Sequence, residues 1–360
     1  MNKKHRALRQ YQTGSVLEEK PIEKVEPDKP VKKKKVKEES KLKLLLEAFK
    51  FIKPCQKKNG TIKQQYCFID NGFMTASNDI LTIGTPVPLD IKACPHTITL
   101  EEALKSASED ISIIKNKENS VSLISNSIEV SVRCVLEEDL TSTPPDIQVI
   151  DANNNIKQAF KHLHPIATDG ATEAVYASIL LTKNSAVATN GHLLTEYYHG
   201  VDIPSDILIP KIAAKAIGAT KKELIKIGCS GPSATFWFED CSFIKTQLYR
   251  EKYSEYESLF EGAIYNHTKT PKDFFDAVKS ISTFNEYGFV YINEGKLLSN
   301  DKDCLVSKFD MNELSTNMNF NSKHLLAVKK NADYVHFYEE GNRAFFFSEN
   351  IRSVVMGLTE

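Results

Sequence analysis

Lysine returns at one place in a short pattern that occurs three times. Ala48-Phe49-Lys50-Phe51-Ile52, Ala159-Phe160-Lys161-His162-Leu163 and Ala277-Val278-Lys279-Ser280-Ile281 each read Ala, apolar, Lys, any residue, then Ile or Leu, with starts 111 and 118 positions apart. An ammonium group on a flexible stem is a compact charge that meets a phosphate without fixing its geometry. Neighbouring lysines extend the set. The first helical patterns supply Lys41, Lys43, Lys50 and Lys53, then Lys157 and Lys161, then Lys272 and Lys279; second patterns supply Lys105, then Lys211 and Lys215, then Lys323, Lys329 and Lys330. A basic loop, Lys57-Lys58-Asn59-Gly60 with Lys63 nearby, adds to them. Glu47, Glu101, Glu102, Asp273 and Asp276 make this face biased toward lysine rather than purely basic. A solvated helix face accounts for any one of these lysines. The same bias on six helices of a chain that is otherwise net acidic points instead to a sequence-blind track that faces phosphates of a polyanion.

Other chemistry finds no pattern to support it. There is no GxxxxGK[ST], no GxGxxG after a strand, no GxSxG and no HExxH. Gly228-Cys229-Ser230-Gly231-Pro232 has the wrong spacing for a nucleophile and reads as a turn between strands, and His162 and His164, two apart, point to different sides of a helix. Trp237 in ATFWFED reads as core or sheet surface. Seven cysteines without a CxxC pair fit a reducing cytosol. No catalytic residue, metal or cofactor is expected. With no apolar run near eighteen residues and no apolar segment behind the charged N-terminus, neither membrane insertion nor export is expected, which leaves the cytoplasm.

The elements that position the lysines follow from periodicity. Each first helix is followed by a second one, over Leu100–Ala107, Lys211–Ala219 and Lys323–Lys330; Ala103, Ala214 and Leu326 lie 55, 55 and 49 residues after the first-helix alanines. Two helices returning in order at near-constant spacing mark an internal triplication. Between and after them CFIDNGFMTA, SVSLIS, IEVSVRCV, ATFWFED, SFIKTQLY, YVHFYEE and RAFFFSE are short, alternating or apolar runs bounded by Asn, Gly, Asp or Ser, the mark of antiparallel strands. The fold class is therefore α+β: three repeated domains, each of two helices on antiparallel sheet. Thr141-Ser142-Thr143-Pro144-Pro145 and Gly262 to Pro271 mark the boundaries, giving 41–145, 146–264 and 265–360. Residues 1–40 hold twelve Lys or Arg against seven Asp or Glu, leaving the other 320 residues at −6; with three prolines and almost no apolar periodicity they read as a disordered basic leader.

One stretch carries a family likeness. Ala186 to Leu194, AVATNGHLL, is an apolar strand, an Asn-Gly turn and a new apolar run. It resembles the Ala-Thr-Asp-Gly-His-Arg-Leu signature in the middle domain of bacterial β sliding clamps, the processivity subunit of the replicative DNA polymerase. KYSEYESLF at 252–260, FNSKHLLAVKK at 320–330 and SVVMGL at 353–358 resemble later segments of the same family, so the likeness spans roughly 42–360. It implies a head-to-tail homodimer, a ring of six domains whose twelve helices line a hole for duplex DNA, with replicative polymerase and clamp loader as partners. It also implies a pocket for short apolar partner peptides, built from Thr189, Gly191, His192, Leu193 and Leu194, from Ser254, Ser258 and Leu259, and from Val354, Val355, Met356, Gly357 and Leu358. Asn190, Leu193, Ser254 and Gly357 stand where the family has Asp, Arg, Pro and Pro, and Thr359-Glu360 replace Arg-Leu. A pocket more apolar at 193 and more acidic at its rim is expected, with a partner motif unlike that of ordinary clamps, as in a phage or plasmid system. The rival readings are a nucleic-acid-binding protein that keeps the repeat without closing a ring, and an enzyme whose site is built from residues distant in sequence.

Overall fold

The computed structural model describes residues 40–117, 119–140, 142–265, 268–284, 286–293, 295–299, 309–310, 314 and 316–359. The leader expected over 1–40 lies outside these, save Ser40, which caps the first helix. Six helices carry the framework: α1 (Lys41–Ile52), α2 (Thr97–Ser106), α3 (Asn154–Leu163), α4 (Lys211–Ala219), α5 (Phe274–Ser282) and α6 (Ser322–Ala327). Side chains close their N-termini where the sequence supplies acceptors. Ser40 accepts from the Lys43 amide, Asn153 from that of Asn155 and Asn321 from that of Lys323.

The repeated pentapeptide is the buried stripe of α1, α3 and α5. Ala48, Phe49 and Ile52, then Ala159, Phe160 and Leu163, then Ala277, Val278 and Ile281 are all buried, while Lys50, Lys161 and Lys279 between them are exposed. Each Phe or Leu so placed contributes about 1.5–3 kcal/mol of transfer free energy. The helices pack in pairs, α1 with α2, α3 with α4 and α5 with α6. In the middle pair Gly218 makes the approach close: a Cβ there would lie 2.9 Å from the Lys161 amide nitrogen. Two second helices differ from expectation. α2 starts at Thr97, three residues early, capped by the His96 ring accepting from the Thr99 amide. α6 ends at Ala327, so Lys329 and Lys330 fall in a following 3-10 turn, Lys329–Asn331.

Two eight-stranded sheets follow one plan. The first runs Lys92–Ala93, Phe68–Asp70, Phe73–Ser77, Leu81–Pro86, Phe243–Gln247, Ser233–Phe238, Leu224–Cys229, Val149–Asp151. The second runs Ile207–Pro210, Ser178–Leu181, Ser185–Thr189, Leu193–Tyr198, Ile351–Met356, Arg343–Ser348, Tyr334–Tyr338, Thr268–Lys269. Each joins four strands from one stretch of chain to four from a later one through a single antiparallel junction. At the first junction Leu81 pairs with Thr246; at the second Leu193 pairs with Val355. Two smaller sheets remain, Phe309–Asp310, Lys296–Leu298, Phe289–Asn293, Asn317–Asn321 and Ile111–Lys115, Ser120–Ser125, Glu129–Arg133. The main core lies between helices and sheets, and a second apolar cluster lies on the other face of the second sheet. No described helix is long and apolar enough to cross a membrane.

Candidate nucleic-acid face and partner-peptide site

Most of the lysines expected on the helix faces are exposed: Lys50, Lys53, Lys57, Lys58, Lys105, Lys161, Lys215, Lys272, Lys279, Lys323 and Lys329. Several are balanced locally. Lys105 pairs with Glu101 one turn back at 2.5 Å, Lys211 with Asp169 at 2.9 Å and Lys329 with Asp276 at 2.6 Å. Lys105 and Lys329 are half-exposed in these pairs, which are weak and salt-screened, so their ammonium groups remain free to exchange partners, whereas the Lys211 side chain is largely covered. Lys272 precedes α5 instead of lying on it, and Lys53 falls in the 3-10 turn Lys53–Cys55 after α1. Lys157 is a correction. Expected on the solvent side of its helix, it is buried, and its Nζ donates to the Lys222 carbonyl at 2.5 Å. Burial holds its pKa below the ordinary lysine value, with Glu223 and Glu239 opposing the shift. A charge turned inward onto a carbonyl is structural and meets no phosphate. Lys63, expected beside the basic loop, lies within the single helical turn Ile62–Gln65 and lines a cavity beside the first junction.

The second junction brings the predicted peptide-site residues together, but on two faces. Asn190 shapes the turn: its Oδ1 accepts from the His192 and Leu193 amides at 3.0 and 2.9 Å. Gly191 sits at φ +90°, a conformation that strains any residue bearing a Cβ. Thr189 Oγ1 donates to the Leu193 carbonyl, and the Met356 amide donates to the His192 carbonyl, locking the turn to the last strand. Beyond the turn the side chains alternate. Leu194, Val354, Leu259 and Met356 join Leu180, Val187, Leu208, Phe345 and Phe347 in the second apolar cluster. Leu193 and Val355 point the other way, into the main core; burial does not separate them from Leu194 and Val354, which are as fully covered, but the face they occupy does. They are a correction to the predicted lining, and the pocket expected to be more apolar at 193 is therefore not made so by that residue. Ser254 and Ser258 are exposed, in the extended run and 3-10 turn (Glu257–Phe260) that pass over the cluster. Gly357 is held between the strands by the Asn342 carbonyl, where a Cβ would collide with the Asn342 side chain. The Leu358 amide donates to Asn319.

Residues that sequence reasoning passed over complete this junction. Glu196 accepts from Ser185 at 2.6 Å, Tyr256 at 3.0 Å and Arg352 Nε at 2.5 Å. The Arg352 guanidinium lies 4.0 Å from the Phe260 ring centroid and reaches the Tyr265 hydroxyl at 3.0 Å. Arg343 donates to the Leu259 carbonyl. His192 stacks on His324 of α6 at 5.3 Å; burial, then the neighbouring His192, holds the His324 pKa below the ordinary value. Charged residues inside the apolar strands LLTEYY and IRSVVM were the available signal. Among the described residues no group of three or more His, Cys, Asp or Glu is placed to hold a metal ion.

Helix pairs on shared antiparallel sheets, joined in register from one repeat to the next, define the bacterial sliding-clamp fold. Solved structures with that fold align over most of the chain. A putative DNA polymerase III beta subunit from Eubacterium rectale ATCC 33656 aligns with TM-score 0.74 at 12% identity, over 89% of this chain and 98% of its own. A sliding clamp from Pseudomonas aeruginosa bound to griselimycin gives 0.77 at 14%, over 89% and 98%. The Helicobacter pylori beta clamp bound to a DNA ligase peptide gives 0.75 at 14%, over 89% and 99%. No protein-family model matches the sequence, and no curated protein does.

Proposed function

We propose that this chain is a DNA sliding clamp, a processivity factor and not an enzyme, acting in the cytoplasm. Two copies close head to tail into a ring around duplex DNA, a clamp loader opens it, and the site at the second junction tethers the replicative polymerase. The repeating units are 41–145, 146–264 and 265–360. The observation that carries this is the pattern of sheet junctions. At each, the strand that follows an Asn turn or its counterpart pairs with the final strand of the next unit: Leu81–Pro86 with Phe243–Gln247, and Leu193–Tyr198 with Ile351–Met356. The same rule applied once more pairs Phe309–Asp310 with Glu129–Arg133 of a second copy. These are edge strands of the two smaller sheets. Unlike edges at opposite ends of one chain are what a closed head-to-tail assembly needs.

Exposed lysines on α1 to α6 supply loose phosphate contacts that fix no register, so the ring slides. The apolar cluster around Leu194, Val354 and Met356 suits a short greasy peptide, and the adaptable Met356 at its edge suits partners of more than one shape. The departures at Ser254, Gly357 and Thr359 lie at the rim, so the partner motif differs from that of ordinary clamps there; Glu360 lies outside the described residues. Retention on DNA tests the reading. Protein loaded onto a nicked circular duplex stays bound through gel filtration and is lost when the circle is linearised. Equal retention on both forms would place it among non-ring nucleic-acid-binding proteins.

A further inference from the structure

The two junctions are built alike down to their hydrogen bonds. Asn78 repeats Asn190: its amide donates to the Leu81 carbonyl at 2.8 Å, and its Oδ1 accepts from the Ile80 and Leu81 amides at 2.9 and 2.7 Å. The Gln247 amide donates to the Ile80 carbonyl as that of Met356 does to His192. Aligned on these bonds, Thr82, Lys245 and Gln247 stand where the second junction has Leu194, Val354 and Met356. An apolar surface is thus replaced by a polar one in the same backbone frame. It opens onto a cavity of ≈ 400 Å³ lined also by Lys63, Ser77 and Ser142. That volume lies within the range of ligand pockets.

The charges in the cavity are unequal. Lys245 is already held, its Nζ donating to the Pro144 carbonyl at 2.7 Å with Asp146 at 3.5 Å. Asp79 lies on the exposed turn, where solvent screens it. Lys63 is half-buried and, among the described residues, forms no ion pair, and the hydroxyls of Ser77, Thr82 and Ser142 have no hydrogen-bond partner there. We propose that the first junction is a second peptide-binding site, which takes a short polar segment of a partner protein and sets a carboxylate side chain against Lys63. The choice of a peptide rests on reading the second junction as a peptide site; the cavity and its cation do not.

Methyl NMR of the full-length protein labelled at threonine and methionine tests this with three probes: an end-blocked Ala-Ser-Glu-Ser-Ala peptide, its Gln counterpart and inorganic phosphate. The Glu peptide should shift Thr82 and Thr246 and leave Met356 in place. The Gln peptide, and the Glu peptide on Lys63→Ala, should bind about tenfold more weakly, the loss of one charge-assisted hydrogen bond. No shift at millimolar Glu peptide, or equal binding by Lys63→Ala, would overturn the site. Phosphate binding as tightly as the Glu peptide would overturn the peptide assignment. An end-blocked Leu/Phe peptide run alongside should move Met356; its failure would count against the second junction alone.

Discussion

Removing the Arg352 guanidinium isolates what holds the second junction closed. Glu196 and Arg352 face each other in register across the junction, their side chains only 13% and 29% exposed. Deleting one partner of a buried pair costs about 3–5 kcal/mol, because the other charge is left desolvated. Two features reduce that here. Glu196 keeps the hydroxyl donors of Ser185 and Tyr256, and Arg352 retains some solvent contact. The lost stacking on Phe260 adds back about 0.5–1 kcal/mol. Arg352→Ala should therefore destabilise the junction by about 3 kcal/mol. Glu196→Gln, which still offers an acceptor to both hydroxyls, should cost about 1–2 kcal/mol. Urea unfolding combined with amide exchange reads this locally, since protection of 193–198 and 351–356 should fall before that of 81–86 and 243–247. A loss below about 0.5 kcal/mol in Arg352→Ala, with unchanged exchange, would mean that the pair behaves as an exposed one and would refute the reasoning.

Gly218→Ala should be destabilising by about 1–3 kcal/mol in urea melts despite its better helix propensity, because the new Cβ meets the Lys161 backbone, which cannot yield. His199 is buried with Nδ1 accepting from the Val201 amide, and burial lowers its pKa to about 4. The unfolded chain then binds the proton first, so this contribution is intact above about pH 6.5 and about 3 kcal/mol is lost as pH falls toward 4; unfolding free energies measured against pH should show the slope in the parent protein and lose it in His199→Asn. Charge reversal at Lys50, Lys161 or Lys279 should weaken equilibrium binding to linear duplex and flatten its salt dependence by about one contact each, whereas Lys157→Met should change stability and leave that binding alone.

The repeat was legible because helix period reports which residues share a face: the three pentapeptides bury the same positions and expose the same lysine. The Asn190-Gly191 turn was equally plain, since its backbone demands those residue types. What period cannot report is which neighbour covers a face. Lys157 sits one residue from the buried stripe, and the loop bearing the Lys222 carbonyl, 65 residues later, closes over it. The family pattern puts Leu193 and Leu194 in one pocket, but consecutive strand residues face opposite ways, and the two lie in different apolar clusters. Asn78 carried no visible signal, because the polar residues that follow it do not resemble the motif whose geometry they copy.

The solution mass of the full chain tests the central claim most directly. Light scattering at micromolar concentration should give twice the 40.5 kDa of one chain, as a closed head-to-tail pair requires. A strictly monomeric mass under those conditions would contradict it.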